Sequence, residues 1–149
     1  MSPGIGAIAL VEDNEDDLYF MMRALKAAEI PNPLEILRTG GEAIEYLSGA
    51  GKFDDRIRHP LPFLLLLDLK LPDISGFDVL RWIKTRANRQ SLATIVLTTS
   101  GEAKDIERAY RLGANSFLIK PAGADRLLEL VNALKEYWFV QNSFPRIEP

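Results

Sequence analysis

The protein has 149 residues, of which 47% are hydrophobic and 26% are charged, and its net charge at pH 7 is −3. This is the composition of an ordinary globular protein with enough chain for one sizeable core. The acidic balance argues against nucleic-acid binding, the lack of cysteine excludes disulfides and thiolate metal sites, and no apolar stretch approaches the roughly 20 residues that span a membrane.

Apolar runs of strand length alternate along the chain with segments of helical period. Predicted strands cover residues 5–13, 34–39, 63–68, 93–100 and 115–121, and predicted helices cover residues 14–30, 40–49, 75–87, 102–113 and 123–139. Strands that are each followed by a helix pair in parallel through helical crossovers. We therefore predict an α/β fold with a doubly wound, five-stranded parallel sheet and five helices, flavodoxin-like with strand order 2-1-3-4-5.

Polar side chains stand at the carboxyl ends of these predicted strands. Glu12 and Asp13 follow the first strand, Asp68 the third, Thr98 the fourth and Lys120 the fifth. In an open parallel sheet the functional crevice lies outside these ends, and strands one and three are neighbours in the predicted order. The sequence therefore predicts that three carboxylates meet at one edge, close to a hydroxyl and an ammonium group.

Such a cluster of carboxylates repels itself unless a cation is bound there. Ligands that are all oxygen suit a hard cation, and a site completed by water suits Mg²⁺. A carboxylate beside Mg²⁺, an ammonium group and a hydroxyl is a potential nucleophile toward phosphorus, which would form an acyl phosphate. Each residue taken alone is more simply a turn, capping or surface residue, but together they predict phosphoryl chemistry at Asp68.

The motifs "LVEDN", "LLLLDLKLPDISGFDVL", "IVLTTS" and "GANSFLIKP" occur in this order across nearly the whole chain. In these motifs the sequence resembles the response-regulator receiver domain of two-component signalling. The resemblance implies that Asp68 is the phosphoacceptor and that Mg²⁺ is bound by the side chains of Asp13 and Asp68 and by the backbone carbonyl of Lys70. It also implies that Glu12 assists the metal site indirectly.

The same resemblance assigns roles around the phosphoacceptor. Thr98 and Lys120 would bind the phosphoryl oxygens, and Thr98 with Phe117 would form the conformational switch. Phe117 lacks the hydroxyl of the commoner tyrosine, so the switch would work through packing. Lys120–Pro121 would be a cis peptide bond, and Thr99 would restrict access of the phosphodonor.

The finer resemblance is to stand-alone regulators paired with bacterial phytochrome-type histidine kinases. It rests on "EDNEDD", the enlarged loop 49–62, "LTTS" and "EYWF". It implies a histidine kinase as partner, with no nucleic acid and no membrane. It also implies a homodimer through the fourth and fifth helices, the fifth strand and an apolar C-terminal cluster, whose members are Tyr137, Trp138, Phe139, Val140 and Phe144. Packing of that cluster on its own domain is the alternative.

We expect one receiver domain over residues 1–149, with a core at about 5–139, a tail at 140–149, no output domain and a cytoplasmic location. It would be a signalling phosphoacceptor and not an enzyme that turns over a substrate. Two alternatives remain. A phosphatase of the haloacid-dehalogenase type needs a second aspartate two residues after the first, where this chain has Lys70. The other is an interaction module that works without phosphorylation. His59, in a proline-rich loop, is predicted to be exposed.

Overall fold

The computed structural model describes residues 6–86 and 88–145. Its strands are β1 (Ala7–Val11), β2 (Leu34–Leu37), β3 (Pro62–Leu67), β4 (Ala93–Thr98) and β5 (Ser116–Ile119). Its α-helices are α1 (Glu15–Ala27), α2 (Gly40–Ser48), α3 (Gly76–Lys84), α4 (Ala103–Arg111) and α5 (Ala124–Leu134). Residues 1–5, 87 and 146–149 lie outside the described residues, and with them the start of the first predicted strand, the end of the third predicted helix and part of the predicted tail.

The described strands form a parallel sheet in the order β2-β1-β3-β4-β5, which confirms the predicted fold class and strand order. The register aligns the carboxyl ends of the central strands. Val11 at the end of β1 pairs with Leu67 at the end of β3, and Thr98 at the end of β4 pairs with Ile119 at the end of β5. The residues that follow these ends are therefore delivered to one edge of the sheet.

Both faces of the sheet are covered by helices, as the apolar strands require. Leu10, Leu66 and Leu97 face the layer formed by α1 and α5, while Val11, Leu67 and Val96 face the layer formed by α2, α3 and α4. Alternate strand residues thus enter separate cores, which follows from the two-residue period of a strand. None of the helices within the described ranges is both long enough and apolar enough to cross a bilayer.

Two helices near the site, α1 and α3, begin at residues whose side chains cap them. The Asn14 side chain accepts a hydrogen bond from the Asp17 amide at the start of α1 (2.9 Å). Ser75 and Asp78 form a reciprocal capping box at the start of α3. Asn14 closely follows the end of β1, and Ser75 ends the loop that follows β3, so these caps fix where each helix begins relative to the edge of the sheet.

The loop 49–62 is anchored to the core, and the prediction that His59 is exposed is wrong. Phe53 is 2% exposed and packs edge-on against Tyr46, whose hydroxyl donates to the Pro60 carbonyl. His59 is half-buried, with its ring against Phe53 and its Nδ1 atom 2.9 Å from Glu35 Oε1. Phe53 of the loop supplies an aromatic contact for the histidine, which the proline-rich sequence does not reveal.

The last predicted helix, 123–139, changes character at Lys135. Beyond α5 the chain continues as a π-helix at Lys135–Gln141. Phe139 in this segment and Phe144 just beyond it pack edge-on against Phe63, with ring centroids 5.2 and 4.9 Å away. Much of the apolar C-terminal cluster therefore covers the protein's own core.

Candidate functional site

Backbone hydrogen bonds extend the sheet past its strand ends and position the polar side chains. The Glu12 amide donates to Leu37 O (2.9 Å), and the Asp68 amide donates to Val11 O (3.1 Å). The Lys120 amide donates to Thr98 O (2.7 Å). Glu12, Asp68 and Lys120 thus emerge side by side although they are distant in sequence.

The Lys120 ammonium group joins the acidic residues at this edge. It donates to Asp68 Oδ2 (2.9 Å), to Asp17 Oδ2 (2.9 Å) and to Glu12 Oε1. Glu12 is 4% exposed and Asp68 is 7% exposed, so water offers these carboxylates little compensation. Their burial requires a cation, and the lysine at the end of β5 supplies one.

Burial and charge perturb the ionisation of these groups in opposite directions. The pKa of Glu12 is raised to about 7 by burial and by the charge of Asp68, which together outweigh its hydrogen bond from Lys120. For Lys120, burial favours the neutral form, but the hydrogen bonds to Glu12, Asp17 and Asp68 outweigh burial and raise its pKa. The ammonium group therefore stays charged, whereas Glu12 exchanges its proton near neutral pH.

Asp17 is the residue of this cluster that sequence reasoning missed. It lies in the first turn of α1, where acids are common because they compensate the helix dipole. Its contact with Lys120 joins that turn to the end of β5. The available signal was its place one helical turn beyond the predicted acidic pair, which by itself does not show that the side chain faces Lys120.

Asp13 and Lys70 are less tightly held. The Asp13 side chain is exposed and forms no ion pair within the described part of the chain. Lys70 is exposed too, and its backbone amide donates to Asp68 Oδ1 (3.3 Å). A Cβ atom added at Gly76 would lie 2.3 Å from the Asp68 carbonyl oxygen, so α3 packs directly on the loop that carries Asp68.

Thr98 and Phe117 occupy the face of the sheet covered by α2, α3 and α4. Thr98 is fully buried, and its hydroxyl has no hydrogen-bond partner among the described residues. Buried hydroxyls are normally paired, so this donor is available to a group that enters the site. Phe117 is half-buried opposite Val96, in contact with the core on the same face, and Thr99 is exposed.

The prediction of a cis Lys120–Pro121 peptide bond is wrong, since none of the peptide bonds among the described residues is cis. The trans form is favoured intrinsically at X–Pro bonds. It also leaves the Lys120 ammonium group in contact with Glu12 and Asp68, so the lysine reaches the carboxylates without isomerisation.

A cavity of about 310 Å³ lies beside Lys120, between α1 and α5. Its floor includes Leu66 and Leu97 of the sheet, and its walls include Phe20 of α1 and Leu127 of α5. Asp17 and Lys120 line the same cavity as Asp68. The ammonium group therefore borders open space as well as its acidic partners.

The donor set fits a hard divalent cation. Within residues 6–86 and 88–145, no group of three or more His, Cys, Asp and Glu side chains is arranged to hold a metal ion by itself. The charge of Asp68 nevertheless raises the pKa of the buried Glu12, and a cation bound near both carboxylates would relieve that repulsion. Asp13, exposed directly after Glu12, adds an oxygen donor of the kind that Mg²⁺ prefers.

Comparisons with known proteins agree with this arrangement. The family model of the response regulator receiver domain matches residues 8–132. The probable methanogenesis regulatory protein FilR2 of Methanothrix harundinacea is 38% identical over 93% of this chain and 86% of its own. Response regulator Rcp1 of a Synechocystis species is 33% identical over 93% of this chain and 92% of its own.

The chain also resembles solved structures of response regulators. The phosphorylated cyanobacterial phytochrome response regulator RcpA superposes with a TM-score of 0.88 at 32% identity, covering 95% of this chain and 99% of that one. RPA3017, a response regulator in red light signalling of R. palustris, has a TM-score of 0.91 at 30% identity with the same coverages. The Mn²⁺-bound form of Rcp1 has a TM-score of 0.85 at 33% identity, again over 95% and 99%.

Proposed function

Since the chain belongs to the response regulator receiver domain family, we propose that it is a signalling switch that accepts a phosphoryl group on Asp68. The observation that carries the proposal is the buried Asp68 carboxylate paired with the Lys120 ammonium group at the carboxyl edge of the sheet. A solvent-poor carboxylate with a fixed cation beside it combines a nucleophile with charge stabilisation for the incoming phosphoryl group.

The phosphodonor in this proposal is a phosphohistidine of a histidine kinase. An Asp68 carboxylate oxygen attacks phosphorus, the P–N bond breaks, and the ring nitrogen leaves with the bonding electrons and takes up a proton. Water later attacks the acyl phosphate, which returns the carboxylate and inorganic phosphate. Lys120 and the hydroxyl of Thr98 would bind the phosphoryl oxygens during both steps, because one carries a charge at Asp68 and the other is a buried donor that lacks a partner.

We propose Mg²⁺ as the cofactor, with Asp13, Asp68 and the backbone carbonyl of Lys70 as ligands and Glu12 assisting. When bound, the ion supplies positive charge that offsets the carboxylates and the phosphoryl oxygens. The acidic donors at the site support this assignment, as does the Mn²⁺-bound form of the relative Rcp1. The Asp68 carboxylate itself is held in place by hydrogen bonds from the amide of Lys70 and the ammonium group of Lys120.

The proposed output is a change at the surface of α4, β5 and α5. Movement of Thr98 toward a phosphoryl group would free space that Phe117, beside it on the same face, can fill. The Arg108 guanidinium of α4 stacks over the Phe77 ring of α3 at 4.2 Å, so a shift of α4 relative to α3 would change this contact. The proposed switch would thus act by moving α4, which is packed against α3.

The kinase partner is proposed to be of the phytochrome type. Rcp1 is named a response regulator, RcpA a phytochrome response regulator and RPA3017 a response regulator in red light signalling, and each resembles this chain over nearly its full length.

A homodimer through α4, β5, α5 and the C-terminal cluster is part of the proposal. Tyr137 and Val140 are 55% and 60% exposed, so part of that cluster is available to a second copy. Sedimentation with and without a phosphoryl mimic measures the assembly, and a monomer in both conditions at high concentration would exclude it.

Intact-mass analysis after incubation with acetyl phosphate and Mg²⁺ tests the proposed function. We expect one phosphoryl group on the wild-type protein and none on Asp68→Asn, which keeps the shape of the side chain but removes the nucleophilic charge. Labelling of the Asp68→Asn variant would contradict the assignment. Sustained turnover of a phosphomonoester would favour the phosphatase alternative.

A further inference from the structure

The hydrogen-bonding capacity of Lys120 is fully used in this structure. An ammonium group has three N–H donors, and here they face Glu12, Asp17 and Asp68. A phosphoryl group on Asp68 takes the place of the Asp68 carboxylate at Lys120, and a second phosphoryl oxygen can bind the ammonium group only in place of Glu12 or Asp17. The free energy needed to release a carboxylate from Lys120 therefore determines how strongly the lysine can bind the phosphoryl group.

The carboxylates differ in how readily water can take the place of Lys120. The side chains of Glu12 and Asp68 are 5% and 9% exposed, whereas the Asp17 side chain is 40% exposed. Releasing Glu12 would leave a buried carboxylate without its cation, away from water, which is costly. Releasing Asp17 exposes its charge to solvent, so Asp17 is the partner that exchanges at the lowest free energy.

We propose that Asp17 is an exchangeable partner of Lys120, which it holds while Asp68 is unmodified and releases when a phosphoryl group arrives. Asp17 is then a positioning residue that competes with the phosphoryl group for the ammonium group. This inference rests on the proposed function of Asp68. Its consequence is that Asp17 weakens phosphoryl binding, because the contact with Lys120 must be broken in the modified state.

The space around Lys120 permits this exchange. The cavity between α1 and α5 is lined by Asp17, Lys120 and Asp68, so the ammonium group has open space beside it as well as its acidic partners. The start of α1 does not depend on the Asp17 side chain. Its cap is a hydrogen bond from the Asp17 backbone amide to Asn14, which a substitution at the side chain leaves in place.

Asp17→Asn tests the inference, with Asp16→Asn as the matched control. Both variants remove one acidic charge from the first turn of α1, but Asp16 is exposed and forms no ion pair within the described residues. Affinity for the phosphoryl mimic beryllofluoride is measured by calorimetry at saturating Mg²⁺. Asp17→Asn should bind the mimic about two- to fivefold more tightly than the wild type, a change of the size that a half-exposed ion pair produces. Asp16→Asn and Asp17→Glu, which keeps the carboxylate, should bind it as the wild type does.

Equal affinities of Asp17→Asn and the wild type would overturn the inference and leave the proposed function intact. An equal gain in Asp16→Asn would also overturn it, because the effect would then come from overall charge. A wild-type protein that does not bind the mimic at all would contradict the proposed function itself. Circular dichroism melting of each variant shows that the comparison is made between folded proteins.

Discussion

At the scale of single residues, burial raises the pKa of Glu12, and this shift should make the free energy of unfolding depend on pH. Burial and the neighbouring Asp68 raise its pKa from 4.5 to about 7, although the hydrogen bond from Lys120 acts in the opposite direction. Between these values the folded protein binds a proton that the unfolded chain has released. The free energy of unfolding that is due to Glu12 is therefore fully present below pH 4.5 and is lost as the pH rises through about 7.

Glu12→Gln should flatten this pH dependence, because glutamine does not titrate. Urea unfolding in the presence of a chelator, at about pH 5 and about pH 8, should show the wild type losing on the order of 2 kcal/mol more than the variant between the two conditions. Glu107→Gln is the control, since Glu107 is exposed on α4. Equal losses in the wild type and Glu12→Gln would show that Glu12 is ionised normally.

Some residues of the site could be predicted from the sequence and others could not. Glu12, Asp68, Thr98 and Lys120 each stand at the end of an apolar strand, and parallel strands bring such ends together. Asp17 could not be found this way, because its contact with Lys120 depends on how α1 is rotated over the sheet.

At the scale of single elements, α2 depends on a residue from a different part of the chain. The Asp73 carboxylate accepts hydrogen bonds from the amides of Gly40 (2.9 Å) and Gly41 (2.8 Å) at the start of that helix. Partial burial raises the pKa of Asp73, but the hydrogen bonds from backbone amides outweigh it and lower the pKa. The loop after Asp68 is thereby fixed to the helix that follows β2.

Asp73→Ala should lower the free energy of unfolding by about 1 kcal/mol at neutral pH, because the amides of α2 lose their acceptor. The stabilisation is present above the usual pKa of 3.8 and lost as the pH falls through the lowered pKa of Asp73, so the variant and the wild type should converge in acid. Asp54→Ala, at an exposed carboxylate in the loop 49–62, is the control for charge. A difference between variant and wild type that persists unchanged in acid would contradict the capping role.

The pattern of elements was predictable because strand and helix periods differ, but local departures were not. The last helix has the expected period through Leu134 and then widens into a π-helix that carries Trp138 and Phe139. This change accompanies the contact of Phe139 with Phe63, which is remote in sequence. The contact of His59 in the loop 49–62 with Glu35 likewise joins residues that are remote in sequence.

At the scale of the whole molecule, the Thr98 hydroxyl should couple the site to the surface of α4 and β5. Thr98→Val keeps the shape of the side chain and removes a buried hydroxyl that has no partner among the described residues, so the fold should be as stable as the wild type or more so. Binding of beryllofluoride and Mg²⁺ should slow hydrogen exchange in α4 and β5 of the wild type and leave this exchange nearly unchanged in the variant.

Thr94→Val is the matched control on the same strand. The Thr94 hydroxyl donates to the Leu92 carbonyl (3.3 Å), so its removal should cost about 1 kcal/mol of stability while the response of α4 and β5 is kept. A full exchange response in Thr98→Val would show that the switch does not use this hydroxyl.

The topology of the molecule was the most predictable feature, because alternation of strands and helices leaves few arrangements of a parallel sheet. The strand order was confirmed, and it places β1 beside β3, which is what brings Glu12 and Asp68 together. The isomer of the Lys120–Pro121 bond was predicted wrongly, since it rested on resemblance alone and nothing in the local sequence requires the cis form.

Phosphorylation of Asp68 can be established by locating the modified residue in the sequence. After labelling with acetyl phosphate and Mg²⁺, borohydride reduces an acyl phosphate of aspartate to homoserine, which peptide mass spectrometry can place in the sequence. We predict that homoserine is found at position 68 and at no other aspartate. Homoserine at another position, or a phosphorylated protein with unaltered Asp68, would contradict the account.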